Sequence, residues 1–387
     1  MRVTHVITRL IIGGAQENTI ATVLGLQNRR GLQVHLVAGP TTGPEGSLEF
    51  AFAGHPEWLT ILPTLVRPIH PWCDLLAWRH LVKMFRAARP EIVHTHSGKA
   101  GILARLAARR AGVPIIIHTV HGPSFGPFQG PIPNLIFQAA ERRAAAVTTH
   151  FISVADAMTR QYLAAGVGRP DQFTRILSGF ALEPFLAARN DLELRARLGI
   201  APTDFVIGKI ARLFPLKGHE DLIDAAPNIL RRQPRTKFLL VGDGALRPRL
   251  QERARAAGLE KEVIFAGLIT PAEVPRYLGV MDVVAHLSRR EGLARALSQA
   301  LAAGRPIVAY DCDGANEVCF TGQTGFLIPL GDVKELTGRL VQLAEDADLR
   351  ERLGRRGREF ARENFSVATM VENIYALYQK LALRESK

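Results

Sequence analysis

Short runs of β-branched and apolar residues alternate with longer Ala-, Leu- and Arg-rich segments along all 387 residues, and this alternation limits the fold more than any other feature. Strand candidates in the first half lie at residues 3–7, 34–37, 92–96, 115–120 and 151–154. In the second half they lie at 206–212, 237–241, 263–265, 283–286, 307–310 and 325–328. Helical patterns occupy 75–89, 101–111, 218–233, 246–257, 294–303 and 336–346. The strands are nearly continuously apolar, which fits strands covered on both faces, and strands separated by helices pair in parallel. The expected fold is therefore α/β with doubly wound parallel sheets. The pattern pauses at Leu177-Ser178-Gly179-Phe180-Ala181-Leu182-Glu183-Pro184 and resumes at Phe205, dividing the chain into two similar halves. Its length also exceeds what one ordinary core accommodates.

Composition narrows the function classes. With 47% hydrophobic and 22% charged residues the chain reads as globular. No apolar run approaches the roughly 18 residues that span a bilayer. Met1-Arg2-Val3-Thr4-His5-Val6-Ile7 reads as a first strand and lacks the long apolar core and cleavage site of a secretory signal. Cys73, Cys312 and Cys319 show no metal-ligand spacing and read as reduced thiols, which points to the cytoplasm. Residues 1–180 hold 18 Lys+Arg against 9 Asp+Glu, so the net charge of +13 lies mostly in the first half. A basic half suits an anionic partner, either a phosphorylated substrate or the inner face of the plasma membrane; an Arg-rich composition without such a role fits as well. No recognition helix, zinc finger or RNA-binding aromatic signature appears, which argues against nucleic acid.

In open parallel sheets ligands bind beyond the carboxyl ends of strands, and the unusual residues fall in those loops. Gly13-Gly14 follows the first strand and lets backbone approach a ligand at a helix start, or simply makes a tight turn. The three spaced glycines and later acid of a dinucleotide fingerprint are missing, so a nicotinamide cofactor is not supported. Arg212 and Lys217 share one loop leading into a helix, where two cations form a diphosphate clamp or remain surface charges. Val241-Gly242-Asp243-Gly244 and Phe265-Ala266-Gly267-Leu268 each follow a strand and fit backbone contacts or tight turns equally. Ser288-Arg289-Arg290-Glu291-Gly292-Leu293 leads into a helix, whose start offers unpaired N–H groups. Gln299 lies eight residues after Glu291, about two turns on one side if both are helical. His94 and His96 alternate on a strand, and with no third ligand nearby no metal site is expected.

Taken in order, Arg212 and Lys217, Gly242-Asp243-Gly244, Phe265-Ala266-Gly267, Glu291-Gly292-Leu293 and Ala302-Ala303-Gly304-Arg305-Pro306 resemble the retaining family 4 glycosyltransferases. The resemblance extends over essentially the whole chain. It implies the GT-B architecture, two facing Rossmann-like domains: 1–178 binding the acceptor and 179–365 binding a nucleotide sugar. The tail 366–387 would return to the first domain, with 365–383 as its crossing helix. Arg212 and Lys217 would hold the donor diphosphate, with Gly13, Gly14, Gly242, Gly267 and Leu268 lining the donor. Glu291 would contact hydroxyls of the transferred sugar beside the amides of Gly292 and Leu293. The second family acid, which holds the ribose, falls at position 299, where this chain has Gln299. An amide both accepts and donates, and exchanging a charged for a neutral hydrogen bond forfeits roughly 1 kcal/mol. His121 corresponds to the histidine whose backbone carbonyl lies near the sugar, completing a catalytic set with Glu291, Arg212 and Lys217; a packed loop histidine is the other reading.

The segment His94-Thr95-His96-Ser97-Gly98-Lys99-Ala100-Gly101, followed by His118-Thr119-Val120-His121-Gly122, resembles members that extend polyprenyl-diphosphate-linked or capsular glycans. His96 and Lys99 would then face the acceptor, although Lys99 fits a solvated strand end too. In the helix at 75–89, Leu75, Leu76, Val82 and Phe85 are expected against the sheet. Arg79, Lys83 and Arg86 then face water or anionic headgroups.

The resemblance implies retaining transfer of a hexose-type sugar from a nucleotide diphosphate sugar, preferably a UDP-sugar. The acceptor would be a glycan or a polyprenyl-diphosphate-linked glycan in cell-surface polysaccharide assembly, and no cofactor or metal is expected. No acidic pair suited to hydrolysis and no nucleophile–base set is visible. Two alternatives stay open: a sugar-nucleotide epimerase or phosphorylase of the same layout, and a catalytically degenerate binding homologue motivated by Gln299.

Overall fold

The strand–helix alternation builds two parallel sheets in the computed structural model, which describes residues 1–41, 46–126 and 129–385. The chain divides into two units, Met1–Phe180 with Val367–Lys387, and Ala181–Ser366. The first boundary lies within the pause at 177–184.

The first unit runs β1 (Arg2–Ile7), α1 (Gly14–Gln27), β2 (Gln33–Ala38), β3 (Leu59–Ile61), α2 (Pro71–Ala88), β4 (Ile92–His96), α3 (Gly98–Ala111), β5 (Ile115–Val120), α4 (Pro131–Ala145), β6 (His150–Ser153), α5 (Asp156–Ala164) and β7 (Phe173–Arg175). Its seven strands pair in the order β3-β2-β1-β4-β5-β6-β7, all parallel. Both faces are covered, which is why the strands show no polar alternation. Val3, Ile7, Leu36 and Ile92 pack on one side with α1, while Val6, Val37, Val93 and Ile116 pack on the other with α2 and α3. β3 and β7 are edge strands of three residues each, too short to leave a period in the sequence.

Helix α2 begins at Pro71, ahead of the expected 75, because proline in a first turn lacks only an N–H that the helix does not use. Its sheet-facing residues are Ala77, Leu81, Val82 and Phe85. Leu75 and Leu76 are exposed, which corrects their expected packing against the sheet: they lie on the outer face of the helix, off the 77/81/85 stripe. Arg79, Lys83 and Arg86 are exposed as expected.

The second unit contains α6 (Glu183–Leu186), α7 (Leu192–Arg197), β8 (Phe205–Ile210), α8 (His219–Arg232), β9 (Thr236–Val241), α9 (Arg247–Ala256), β10 (Val263–Gly267), α10 (Val274–Val280), β11 (Val283–His286), α11 (Arg295–Ala302), β12 (Ile307–Tyr310), β13 (Gly325–Ile328), α12 (Val333–Glu345) and α13 (Ala347–Asn364). The six strands pair in the order β10-β9-β8-β11-β12-β13, again all parallel. β8 stops at Ile210, so Arg212 belongs to the loop and not to the strand.

The last helix, α14 (Val367–Glu385), belongs to the first unit. Met370, Val371, Ile374, Leu377, Tyr378 and Leu381 recur at helical spacing and are buried with Ile20, Val23 and Leu26 of α1 and the strand residues of that face. Burying each large side chain of this stripe contributes roughly 1.5–3 kcal/mol. The end of the chain is thus part of the first unit's core.

Between two such covered faces, polar groups must find partners inside the protein. Arg105 on α3 and Glu141 on α4 are both fully buried and 2.6 Å apart. Arg105 Nε also donates to the Gly101 carbonyl at 2.9 Å, and Ser124 Oγ donates to Glu141 Oε1 at 3.2 Å. Removing one partner strands a charge in the core, which costs about 3–5 kcal/mol. Glu141→Ala is therefore expected to lower the unfolding free energy by that amount, read as a lower urea midpoint at unchanged slope, and adding Arg105→Leu to recover most of it. An unchanged midpoint in the single variant would contradict the pairing.

Candidate active site

In the second unit the strand order reverses between β8 and β11, so the loops that follow them diverge and open a crevice at their carboxyl ends. Those loops carry Lys217 and Glu291. They are held against each other by backbone: Arg289 N donates to the Leu216 carbonyl at 2.8 Å, and Gly218 closes onto β11's exit. Gly218 has φ 65°, and a Cβ there would lie 2.2 Å from the Leu287 carbonyl oxygen, so glycine alone allows this approach. Leu216, one residue before Lys217, is itself left-handed at φ 68°. Strain of this kind at a non-glycine residue marks a position that the surroundings over-determine.

Lys217 Nζ donates to Glu291 Oε1 and lies 3.3 Å from Ser288 Oγ, which in turn donates to Glu291 Oε1 at 3.0 Å. Burial pushes the Glu291 carboxyl up, but Lys217, His286 and Ser288 outweigh it and hold the group below the usual range, as a carboxylate. The Glu291 amide donates to Asp313 Oδ2 at 2.7 Å. The amides of Gly292 and Leu293 have no acceptor among the described residues, and α11 starts at Arg295 behind an N-cap, Ala294, that offers no side-chain oxygen. Two N–H groups without an acceptor among the described residues thus lie just ahead of a helix start, in the loop that carries Glu291.

Glu291 lies in the loop and not on α11, which corrects the helical reading of the 291–299 spacing. Gln299 is half-buried on α11. The glycine loops are tied to the β8 loop: Gly242 N donates to the Gly267 carbonyl at 2.9 Å, and Leu213 N to the Asp243 carbonyl at 2.9 Å. Gly242, at φ 133°, would place a Cβ 2.2 Å from the Ala211 carbonyl oxygen. Leu268, just past β10, is exposed. Arg212 is also exposed, with its guanidinium 5.4 Å from the Phe214 ring centre. It shares the loop of Lys217 without joining the Lys217–Ser288–Glu291 cluster.

Three residues of this neighbourhood were not singled out from sequence. Ser288 is a loop serine of ordinary appearance. Asp313, left-handed at φ 51°, was signalled only by an Asp-Gly pair after a strand. Lys209 interrupts the apolar run of β8, which was a visible anomaly. It is 1% exposed, and its Nζ has no hydrogen-bond partner among the described residues. Burial, reinforced by Lys217, pushes its ammonium down to about 7.

In the first unit Gly13 is the N-cap of α1 with extended backbone at φ 175°, and Gly14 opens the helix. Lys99 is bound by the Asp74 carboxylate and the Pro68 carbonyl, so it is a paired cation and not a solvated strand end. His96 is 1% exposed, with its ring nitrogens bonded to His5 and His121 at 3.0 and 3.1 Å. The expectation that His96 meets an acceptor directly is thereby corrected: it sits on a central strand, and both its ring nitrogens are taken by other histidines. His121, in the loop after β5, is half-buried. The premise that His94 and His96 lack a third histidine is also corrected. His5, distant in sequence but paired with His94 across β1 and β4, brings a ring nitrogen within 4.8 Å of both.

Lys209 generates a pH prediction. Its folded pKa lies below the unfolded value of about 10.4, so between about 7 and 10.4 the unfolded chain binds a proton that the fold does not. Stability contributed through this group therefore rises with pH across that window, and the full penalty stands below pH 7. Lys209→Met is expected to be more stable than the parent by roughly 1–3 kcal/mol at pH 7. The advantage should shrink towards pH 10 in denaturant titrations; a pH-independent difference would refute the buried-ammonium account.

Comparison with known proteins gives the geometry a context. A model of the glycosyl transferases group 1 matches residues 190–360, and a model of glycosyltransferase family 4 matches residues 12–183. The UDP-Gal:alpha-D-GlcNAc-diphosphoundecaprenol alpha-1,3-galactosyltransferase of Escherichia coli is 29% identical over 385 residues, covering 98% of this chain and 96% of its own. The Bacillus subtilis glycosyltransferase EpsD is 30% identical over 368 residues, covering 92% of each. The crystal structure of Anabaena HepE in complex with UDP superposes with a TM-score of 0.82 at 23% identity, over 98% of this chain and 100% of that one. The chain therefore belongs to the group 1 and family 4 glycosyltransferases and is a sugar-transferring enzyme of GT-B fold.

Proposed function

We propose that the chain is a retaining hexosyltransferase that takes its sugar from a UDP-sugar and places it on a polyprenyl-diphosphate-linked glycan during cell-surface polysaccharide assembly. The observation that carries this reading is the Lys217–Ser288–Glu291 cluster at the β8/β11 reversal, beside the open amides of Gly292 and Leu293. An ammonium has three donors, and Glu291 and Ser288 occupy two of the Lys217 set, leaving one for a phosphate oxygen. As the bond between the anomeric carbon and the β-phosphate oxygen breaks, charge grows on the diphosphate. Lys217 and Arg212 would neutralise that charge without a metal or other cofactor. The Glu291 carboxylate accepts from a sugar hydroxyl and fixes the ring. The acceptor hydroxyl attacks on the face the diphosphate leaves and passes its proton to the departing phosphate.

The name of the Escherichia coli relative supports the lipid-linked acceptor, and the UDP in the HepE structure supports the nucleotide. Gln299 then holds the ribose through a neutral amide. Among the described residues no helix is long and apolar enough to cross a membrane. The basic first unit presents Trp72 and Ile69 beside Arg79 and Lys83 on its surface, a combination that suits peripheral contact with the anionic inner face of the plasma membrane.

A thermal-shift series against UDP-, GDP- and ADP-sugars tests the donor. A ligand that binds only the native state, at 100 times its Kd, stabilises by about 2.7 kcal/mol, so the UDP-sugar should raise the melting temperature and the others should not. A shift with the GDP-sugar alone would overturn the nucleotide assignment. With a polyprenyl-diphosphate-linked acceptor, Lys217→Ala should lose more than roughly tenfold in turnover, about 1.4 kcal/mol of transition-state stabilisation or more, while still folding. A near-normal rate would remove Lys217 from the clamp.

A further inference from the structure

Six side chains of the first unit form one buried, hydrogen-bonded file. Thr119 Oγ1 lies 2.6 Å from His94 Nε2, and His94 Nδ1 lies 2.6 Å from the Tyr378 hydroxyl. That hydroxyl is 3.2 Å from His5 Nε2. His5 Nδ1 is 3.0 Å from His96 Nε2, and His96 Nδ1 is 3.1 Å from His121 Nε2. The sheet explains the alignment. His94 and His96 alternate on β4 and share a face; His5 is the register partner of His94, and Thr119 that of His96. Tyr378 enters the same face from α14. His121 is the one member that is only half-buried, in the loop at the carboxyl end of β5.

A neutral imidazole has one donor and one acceptor, and a hydroxyl has one proton. Burial holds the histidines neutral: His5 is pushed down to about 3, His121 to about 4, and His94 and His96 fall well below the usual value through burial and mutual repulsion. With one proton per member, all five links can be made in three ways. Every proton points towards His121, or every proton points towards Thr119, or the Tyr378 oxygen accepts from both His94 and His5 and the protons converge on it. The second setting turns the Thr119 hydroxyl hydrogen away from the file and the third does the same to the Tyr378 hydroxyl hydrogen, and neither buried group has another acceptor among the described residues. An unmade buried O–H costs about 1–3 kcal/mol, which favours the first setting over the other two.

We propose that this file is a tautomer relay, in which Thr119, His94, Tyr378, His5 and His96 are positioning residues that hold His121 as its Nδ1–H form. His121 then offers a hydrogen-bond donor to a ligand oxygen, from a hydroxyl or a phosphate, and is not available there as a base. That ligand rests on the transferase reading; the tautomer does not. A divalent cation among His5, His94 and His96 is the competing occupant, since their nitrogens lie within 4.8 Å of one another. It would consume lone pairs that the file already uses, and the grouping supplies no carboxylate to balance its charge.

The first setting places all four histidines in the Nδ1–H form, which free neutral imidazole disfavours. The test is long-range ¹H–¹⁵N correlation spectroscopy of the full-length, ligand-free protein with ¹⁵N-labelled histidine at pH 7.5, with His121→Gln used for assignment. All four rings should report a protonated Nδ1 and a bare Nε2. Any of them found as Nε2–H or as imidazolium overturns the relay. Tyr378→Phe removes the hydroxyl that joins His94 to His5 and keeps the ring; the signals of His5, His96 and His121 should then shift together towards Nε2–H. A folded Tyr378→Phe protein with unchanged His121 signals refutes the coupling. If that variant fails to fold, the wild-type spectrum still decides the tautomer. Titration with Co²⁺ separates the competing occupant: visible d–d bands with loss of the Nδ1–H signals would make the cluster a metal centre and overturn the proposal. These readouts need no substrate, so failure of the transferase reading would leave them standing.

Discussion

The parallel pairing of β8 with β11, and of β1 with β4, is the constraint on which the chemistry of this protein depends. In each unit the chain returns past its first strand and pairs on the other side, so the loops on either side of that pairing leave in opposite directions. In the second unit this places Lys217 beside Glu291, across 74 residues of sequence. In the first unit the same reversal sets His5 opposite His94, and with it the buried file that ends at His121.

Sheets covered on both faces leave polar side chains no access to water, and the two units respond differently. The first unit satisfies its buried polar groups by pairing, as in Arg105 with Glu141 and in the histidine file. The second unit leaves Lys209 Nζ, His219 Nδ1 and His286 Nε2 without partners among the described residues. All three groups are pushed towards neutrality mainly by burial, and Lys217 adds to the shift of each. A cation held at the crevice thus raises the cost of protonating the core behind it. Backbone strain concentrates in the same places: left-handed Ser97, Leu216 and Asp313 stand in the loops after β4, β8 and β12.

Much of this was legible from residues alone. Short, nearly continuous apolar strands announced a parallel sheet, and their positions differ from the observed ones by a few residues at most. β3 and β7 escaped because three residues cannot show a period. Leu75 and Leu76 misled because a leucine pair looks like core until the 77/81/85 stripe of α2 is fixed by its docking. Arg212, Lys217 and Glu291 were readable as chemistry in loops, but their distances from one another were not. Ser288, an ordinary residue in sequence, became part of the cluster only through the path of the β11 loop.

The sequence by itself determined the class of fold and the chemical vocabulary of the site, because periodicity and residue type are local properties. Tertiary structure decided which groups meet, because hydrogen-bond register and strand order are set by pairings between segments far apart in the chain. Lys217 is therefore an ion-paired ammonium, Lys99 a cation tied to Asp74, and His96 a covered ring between two others. Tyr378, near the end of the sequence, joins His5 near its beginning for the same reason: α14 buries its apolar stripe on the face of the sheet where those histidines point.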